Sequence, residues 1–137
     1  MTTLDSGPAT RLYLDGPDLS GRADPGVHVL HVDGPLDRAA GARLLRLADA
    51  RLALVRAGTR QVRDLVVDVS EVTGAGAGGV AALRHLRFAC GRLGIGVHLA
   101  GAESLGRRGV QPAARLAGFG RYPTVAVALD ALSRPAS

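Results

Sequence analysis

Apolar residues in this chain fall into short β-branched runs separated by longer stretches of helical spacing. The strongest run, Leu65-Val66-Val67-Asp68-Val69, predicts a strand. Val27 to Val32 is mostly apolar and β-branched, the pattern of a strand buried on both faces, and Gly34-Pro35 is expected to stop it. Ile95 to Ala100 predicts a third buried strand, and Arg11-Leu12-Tyr13-Leu14 a short one. Between them, Leu44, Ala48, Leu52 and Val55 recur at helical spacing, while Arg43, Arg46, Asp49 and Arg56 supply a wet side. This predicts a helix over Ala39 to Ala57, capped by Asp37 and closed by Gly58. A Gly-rich loop, Gly74 to Gly79, is expected to lead into a second helix from about Val80 to Leu93, ended by Gly94. Glu103 to Leu116 reads as a helix interrupted by Gly109 and Pro112, and Thr124 to Leu132 as a short strand, a last helix turn, or both. Residues 1–9 and 134–137 read as tails around one domain at 10–133, with a loop from Gly16 to Gly26. Strands alternating with helices imply an α/β domain with right-handed crossovers between parallel strands.

Composition narrows this picture. Hydrophobic residues make up 47% of the 137 positions but aromatics only 3%, so the core must be built from Ala, Val and Leu. All 17 basic residues are Arg, a mark of a GC-rich genome more than of a function. The formal charge of +5 suits an acidic partner or nucleic acid. However, the arginines are spread from Arg11 to Arg134 with acids among them, and a series of stacking aromatics is missing. A solvated basic surface with no nucleic-acid partner is expected. Cys90 is the single cysteine, which excludes an internal disulfide and any CxxC metal spacing. Met1 to Arg11 lacks the pattern of a signal peptide, and the apolar runs are too short to span a bilayer; a cytoplasmic protein without membrane attachment is expected.

Gly74-Ala75-Gly76-Ala77-Gly78-Gly79 fits G-x-G-x-x-G between a strand and a helix. Free N–H groups at a helix start attract phosphate, and glycines let a backbone approach it closely, so a nucleotide or dinucleotide site is one reading, with Glu103 as the ribose-binding acid. Against it, the loop lies four residues past the expected strand end, little chain remains for the rest of a dinucleotide domain, and no acid, base or substrate pocket is evident. The wider neighbourhood gives a second reading. Asp68-Val69-Ser70-Glu71-Val72, six residues, then Gly79-Val80-Ala81-Ala82-Leu83 resembles the central signature of the STAS domain family, which includes the bacterial anti-sigma-factor antagonists. Gly34-Pro35-Leu36-Asp37 and Leu116-Ala117-Gly118-Phe119 resemble two further pieces in the same order, so the likeness spans roughly residues 11 to 132. It implies a single domain with a small mixed β-sheet flanked by helices, no catalysis and no cofactor.

Laid on that family's loop, Gly76 falls where the family has Asp, Ala77 at the first hydroxyl, and Gly78 at the phosphorylated Ser or Thr; Gly79 alone matches. Glycine has no hydroxyl, and none occurs between Gly74 and Glu103; Ser70 and Thr73 are the nearest alternatives, with turn roles expected for both. In the family the unmodified antagonist binds an anti-sigma kinase, and a phosphate adding about −1.5 to −2 charges ends that binding. The resemblance therefore implies a binder without this switch, with an anti-sigma factor kinase as partner, a possible homodimer, or a subunit role in a larger complex. It places the contact at Gly76, Ala77, Gly78 and Gly79 and on the following helix. There Arg84, Phe88 and Arg92 fall opposite the stripe of Leu83, Leu86, Cys90 and Leu93. Phe88 on a wet face lacks a folding rationale unless another segment covers it. His28, His31, His85 and His98 show no metal spacing, and His28 and His31 point to opposite sides of one strand. Asp68 is the one carboxylate in a buried run, expected to brace the loop after it, and Cys90 belongs to the core stripe.

Overall fold

A computed structural model describes residues 10–15, 26–58, 61–103, 105 and 118–132. The β-branched runs form five strands: β1 (Arg11–Asp15), β2 (Val27–Leu36), β3 (Asp64–Ala75), β4 (Gly96–Ala100) and β5 (Gly120–Tyr122). They lie in one sheet in the order β1-β2-β3-β4-β5, with β1 antiparallel to β2 and the other pairs parallel. The helical stretches form α1 (Arg38–Arg56), α2 (Ala77–Gly91) and α3 (Val125–Leu132). A mixed sheet flanked by helices is the architecture that the family resemblance implies, and its parallel pairs are those expected from alternating strands and helices.

Helix ends follow local chemistry. Asp37 caps α1, its Oδ1 accepting from Ala40 N at 2.8 Å, and Gly58 turns the chain away at φ +77°. Thr124 Oγ1 accepts from Val127 N at 3.1 Å, which resolves the open alternatives for this segment: it is α3, and the short strand precedes it as β5. The carbonyl of Cys90 accepts from Ile95 N at 3.0 Å, and Gly94 at φ +75° completes the turn into β4. The helical expectation over Glu103 to Leu116 reaches the described residues only at Glu103 and Leu105, both helical; 1–9, 16–25 and 134–137 also lie outside them.

Two boundaries differ from expectation for one reason. Gly34-Pro35 does not stop β2, which runs on to Leu36, and β3 runs past Val69 to Ala75. The pairing of β2 with β3 shifts register twice, between His31 and Asp33 and between Gly34 and Pro35. These irregularities admit Gly34 at φ +113° and a proline that donates no hydrogen bond, so the ladder resumes beyond them. Gly74 and Ala75 are thereby drawn into the sheet opposite Pro35 and Leu36. The expected loop shrinks to Gly76, whose N–H donates to the Leu36 carbonyl at 3.2 Å, and α2 starts at Ala77, not near Val80.

The two sheet faces bury different partners. On one, Leu30, Val32, Leu65, Val67, Val69, Val97 and Leu99 pack against Leu44, Ala48 and Leu52 of α1 and Val80, Leu83, Leu86 and Cys90 of α2. On the other, Val27, Val29, Val66 and Ala100 pack against Ala128 of α3. Cys90 is fully buried, and burial pushes its thiol pKa up from 9.0 to about 11. Its sulfur should therefore resist Ellman's reagent in the native protein at pH 8, where almost no thiolate forms, and react fully once denaturant is added. Native labelling at the denatured rate would remove Cys90 from the core.

Gly79 is fixed by packing: a Cβ there would stand 2.0 Å from the Leu36 carbonyl oxygen, whereas one at Gly74 meets nothing within 4 Å. Gly79→Ala should lower stability by at least about 1–3 kcal/mol, the usual cost of overpacking, with Gly74→Ala far milder. Urea unfolding of both variants checks this; equal midpoints would refute it.

Candidate partner-binding face and acceptor position

Four small residues let the first turns of α1 and α2 lie side by side. A Cβ on Gly41 would stand 2.8 Å from Ala82 Cβ, and one on Gly78 would stand 2.9 Å from Arg38 Cβ and 3.0 Å from Arg38 Cα. Gly79 is buried under Leu36, Gly78 is half-buried against Arg38, and Gly76 and Ala77 are exposed at the helix start. Gly76 occupies the N-cap at φ −92°, ψ 176° and offers no side-chain cap, so Ala77 and Gly78 begin the helix without one. Gly78, aligned with the acceptor position, thus lacks a hydroxyl and also has no room for a Cβ beside the start of α1.

The rest of α2 divides as its periodicity predicts. Leu83, Leu86 and Cys90 are buried and Leu93 partly so, while Arg84, Phe88 and Arg92 lie exposed on the outer side. Phe88 keeps 66% of its surface accessible, the most exposed large apolar residue described. It shares a shallow groove with Arg87, Arg92, Ile95 and Val97. The guanidinium of Arg87 turns toward Phe119, 5.6 Å from the ring centroid.

The dinucleotide geometry is met at one point and missed at another. Because β3 extends to Ala75, Gly76 sits directly at the strand tip, correcting the expectation of a four-residue offset. Yet β2, β3, β4 and β5 follow one another in a single direction across the sheet. The strand order never reverses there, so the crevice that a switch point opens for a dinucleotide is not formed by these strands.

Two Asp–His pairs lie on the α3 side of the sheet. His31 Nδ1 lies 2.9 Å from Asp68 Oδ2, and its ring stacks on Tyr13 with centroids 4.5 Å apart. Asp68 Oδ1 accepts from Ser70 N at 3.0 Å and from Ser70 Oγ at 2.6 Å. Asp68 thus braces Ser70 within the strand instead of a following loop. Ser70 and Thr73 both belong to β3, so neither takes the expected turn role; Thr73 is exposed and Ser70 half-buried. His98 Nε2 lies 2.9 Å from Asp64 Oδ1. His28 is buried on the opposite face from His31, and His85 is exposed on α2. These Asp–His pairs escaped the sequence reading because they join different strands, and only the register brings them together. Among the described residues no group of three or more His, Cys, Asp or Glu is placed to hold a metal ion, and no helix is long and apolar enough to cross a membrane.

Comparison with known proteins agrees with this geometry. No curated protein matches the chain significantly. Among solved structures, an anti-sigma factor antagonist from Mycobacterium paratuberculosis is 25% identical at a TM-score of 0.65, covering 96% of this chain and 100% of its own. A sulfate transporter family protein from Wolinella succinogenes is 19% identical with a TM-score of 0.59, over 85% of this chain and 93% of its own. A variant of RsbS from Moorella thermoacetica is 18% identical with a TM-score of 0.59, over 89% and 94%. The last two share the fold. The family model described as STAS domain matches residues 19–128, and the chain belongs to the STAS domain family.

Proposed function

We propose that this protein is a non-catalytic regulatory module that binds a protein partner through the start and outer face of α2, without a phosphate switch. The observation that carries the reading is Phe88, exposed by 66% with Arg84 and Arg92 one turn away on either side. An exposed aromatic ringed by arginines contributes nothing to the core and has the composition of an interface hot spot. Gly76, Ala77 and Gly78 continue this surface at the helix start, and Gly79 holds it in place from beneath. The likeness to an anti-sigma factor antagonist supports partner switching in transcription regulation, in the cytoplasm, with an anti-sigma factor kinase as partner. A homodimer using the same face is the other outcome of this chemistry. A subunit role in a larger complex shares the fold, and capture from the source cell separates these: an ATPase-like kinase supports the proposal, and a transporter subunit replaces it.

Gly78 gives the reading its particular form. Phosphorylation needs a hydroxyl, and restoring one by Gly78→Ser also drives a Cβ against Arg38. Incubation with a STAS-directed kinase and ATP should leave the intact mass unchanged; stoichiometric phosphate, at Thr73 for example, would defeat it. Gly78→Ser should lower stability by about 1–3 kcal/mol, since Arg38 must move. Phe88→Ala should weaken association while shifting stability by no more than about 0.5 kcal/mol, as at other exposed sites. A loss of about 3–5 kcal/mol would instead mark Phe88 as core.

Gly76 at the strand tip, with open space around its Cα, favours a nucleotide as the second reading. A ligand at 100 times its dissociation constant stabilises a fold by about 2.7 kcal/mol. Melts with millimolar NAD, NADP, ATP and GTP are therefore expected to be flat. A rise abolished by Gly76→Val would establish the nucleotide site.

A further inference from the structure

Helices α1 and α2 carry mostly positive charge, and strands β2 and β3 carry acids. Among the described residues, α1 holds Arg38, Arg43, Arg46, Arg51 and Arg56 against Asp49 alone. α2 with its C-cap holds Arg84, Arg87 and Arg92 against no acid, and the chain from Ala75 to Ala102 contains neither Asp nor Glu. Acids sit instead on the strands, Asp33 on β2 and Asp64, Asp68 and Glu71 on β3, where Asp64 and Asp68 are engaged with His98 and His31. Eight of the eleven described arginines thus lie on this one helical layer, a clustering that their spread along the chain does not show.

Phe88 stands in that positive layer. Arg84 and Arg92 flank it on the outer face of α2, and Arg46, Asp49 and His85 line a groove between α1 and α2 floored by Leu45, Leu52 and Leu86. No ion pair joins Arg46, Arg84, Arg87 or Arg92 to a described carboxylate. Asp49, one turn from Arg46 in the same groove, offsets part of its field, while those of Arg84, Arg87 and Arg92 add over the outer side of α2.

We propose that this face docks an acidic segment of a protein partner. An apolar side chain of that segment packs on Phe88, and its carboxylates pair with Arg84, Arg92 and, across the groove, Arg46. This rests on the partner-binding reading above and adds the partner's chemistry. Charge complementarity argues for it: arginine forks match carboxylates bidentately, and one aromatic anchor within a charged ring is how protein interfaces concentrate their energy. A nucleic acid fits less well. Single strands need successive stacking platforms, and this face presents one aromatic ring.

The test is selection of phage-displayed random peptides on the intact protein, followed by binding of the synthetic winners to it and its variants. The winners should be rich in Asp and Glu around an aromatic or aliphatic residue. Their dissociation constant should rise about tenfold or more from about 50 to 300 mM salt, because exposed charges are screened. The double variant Arg84→Glu, Arg92→Glu should weaken them at least about tenfold, and Phe88→Ala similarly with an unchanged melt. Winners that need Phe88 but lack acids and salt dependence would overturn the acidic partner while leaving the partner-binding face intact. If no winner depends on Phe88, or none binds, both fall. Labelled oligothymidylate and a DNA duplex form the last arm. Tight binding that the double charge reversal abolishes would assign the face to nucleic acid and overturn the proposal.

Discussion

The approach of α2 to the end of β2 governs the rest of the molecule. A Cβ at Gly79 would meet the Leu36 carbonyl oxygen at 2.0 Å, so only glycine allows the helix to start where it does. That contact brings Gly76 within hydrogen-bond reach of the same carbonyl and sets the first turn of α2 beside Arg38 at the head of α1. From this junction both helices run out over the sheet in a fixed phase. The phase puts Leu83, Leu86 and Cys90 inside and leaves Phe88 outside. Backbone proximity at one point thus decides which side chains of α2 reach the surface, many residues further along the helix.

The same junction leaves little room for a side chain at Gly78. A reversible phosphate needs a hydroxyl with room around it. At Gly78 the room is taken by Arg38, and the helices gain close packing through Gly41 and Ala82. A surface held this firmly is preorganised, and preorganisation reduces what must be ordered on binding.

Much of this was legible in the chain. The strand cores, the Asp37 cap and the α2 phase with Phe88 outward and Cys90 inward follow from local periodicity, and the family likeness from short motifs in the family's order. What escaped depended on long-range pairing. Gly34-Pro35 and Gly74 carry the signature of breaks, and only two register shifts between neighbouring strands let the sheet continue through them. The link between Asp68 and His31 likewise needs the register of β2 against β3. The arginine layer needs the knowledge that α1 and α2 cover the same face, since residues far apart in sequence form it.

The order of strands in the sheet is also their order in the chain. Each strand leaving the ribosome therefore finds its earlier neighbour already made, and none must be inserted between two that have paired. Each parallel pairing closes a full crossover, Val27 with Asp64 and Asp64 with Gly96, and assembly can still proceed from the amino end. The face that waits longest is the one holding Val27, Val29 and Val66, because α3, the last described element, covers it. A chain that stops before Val125 exposes these valines, and so carries on its surface a mark of unfinished synthesis that proteases and chaperones can read.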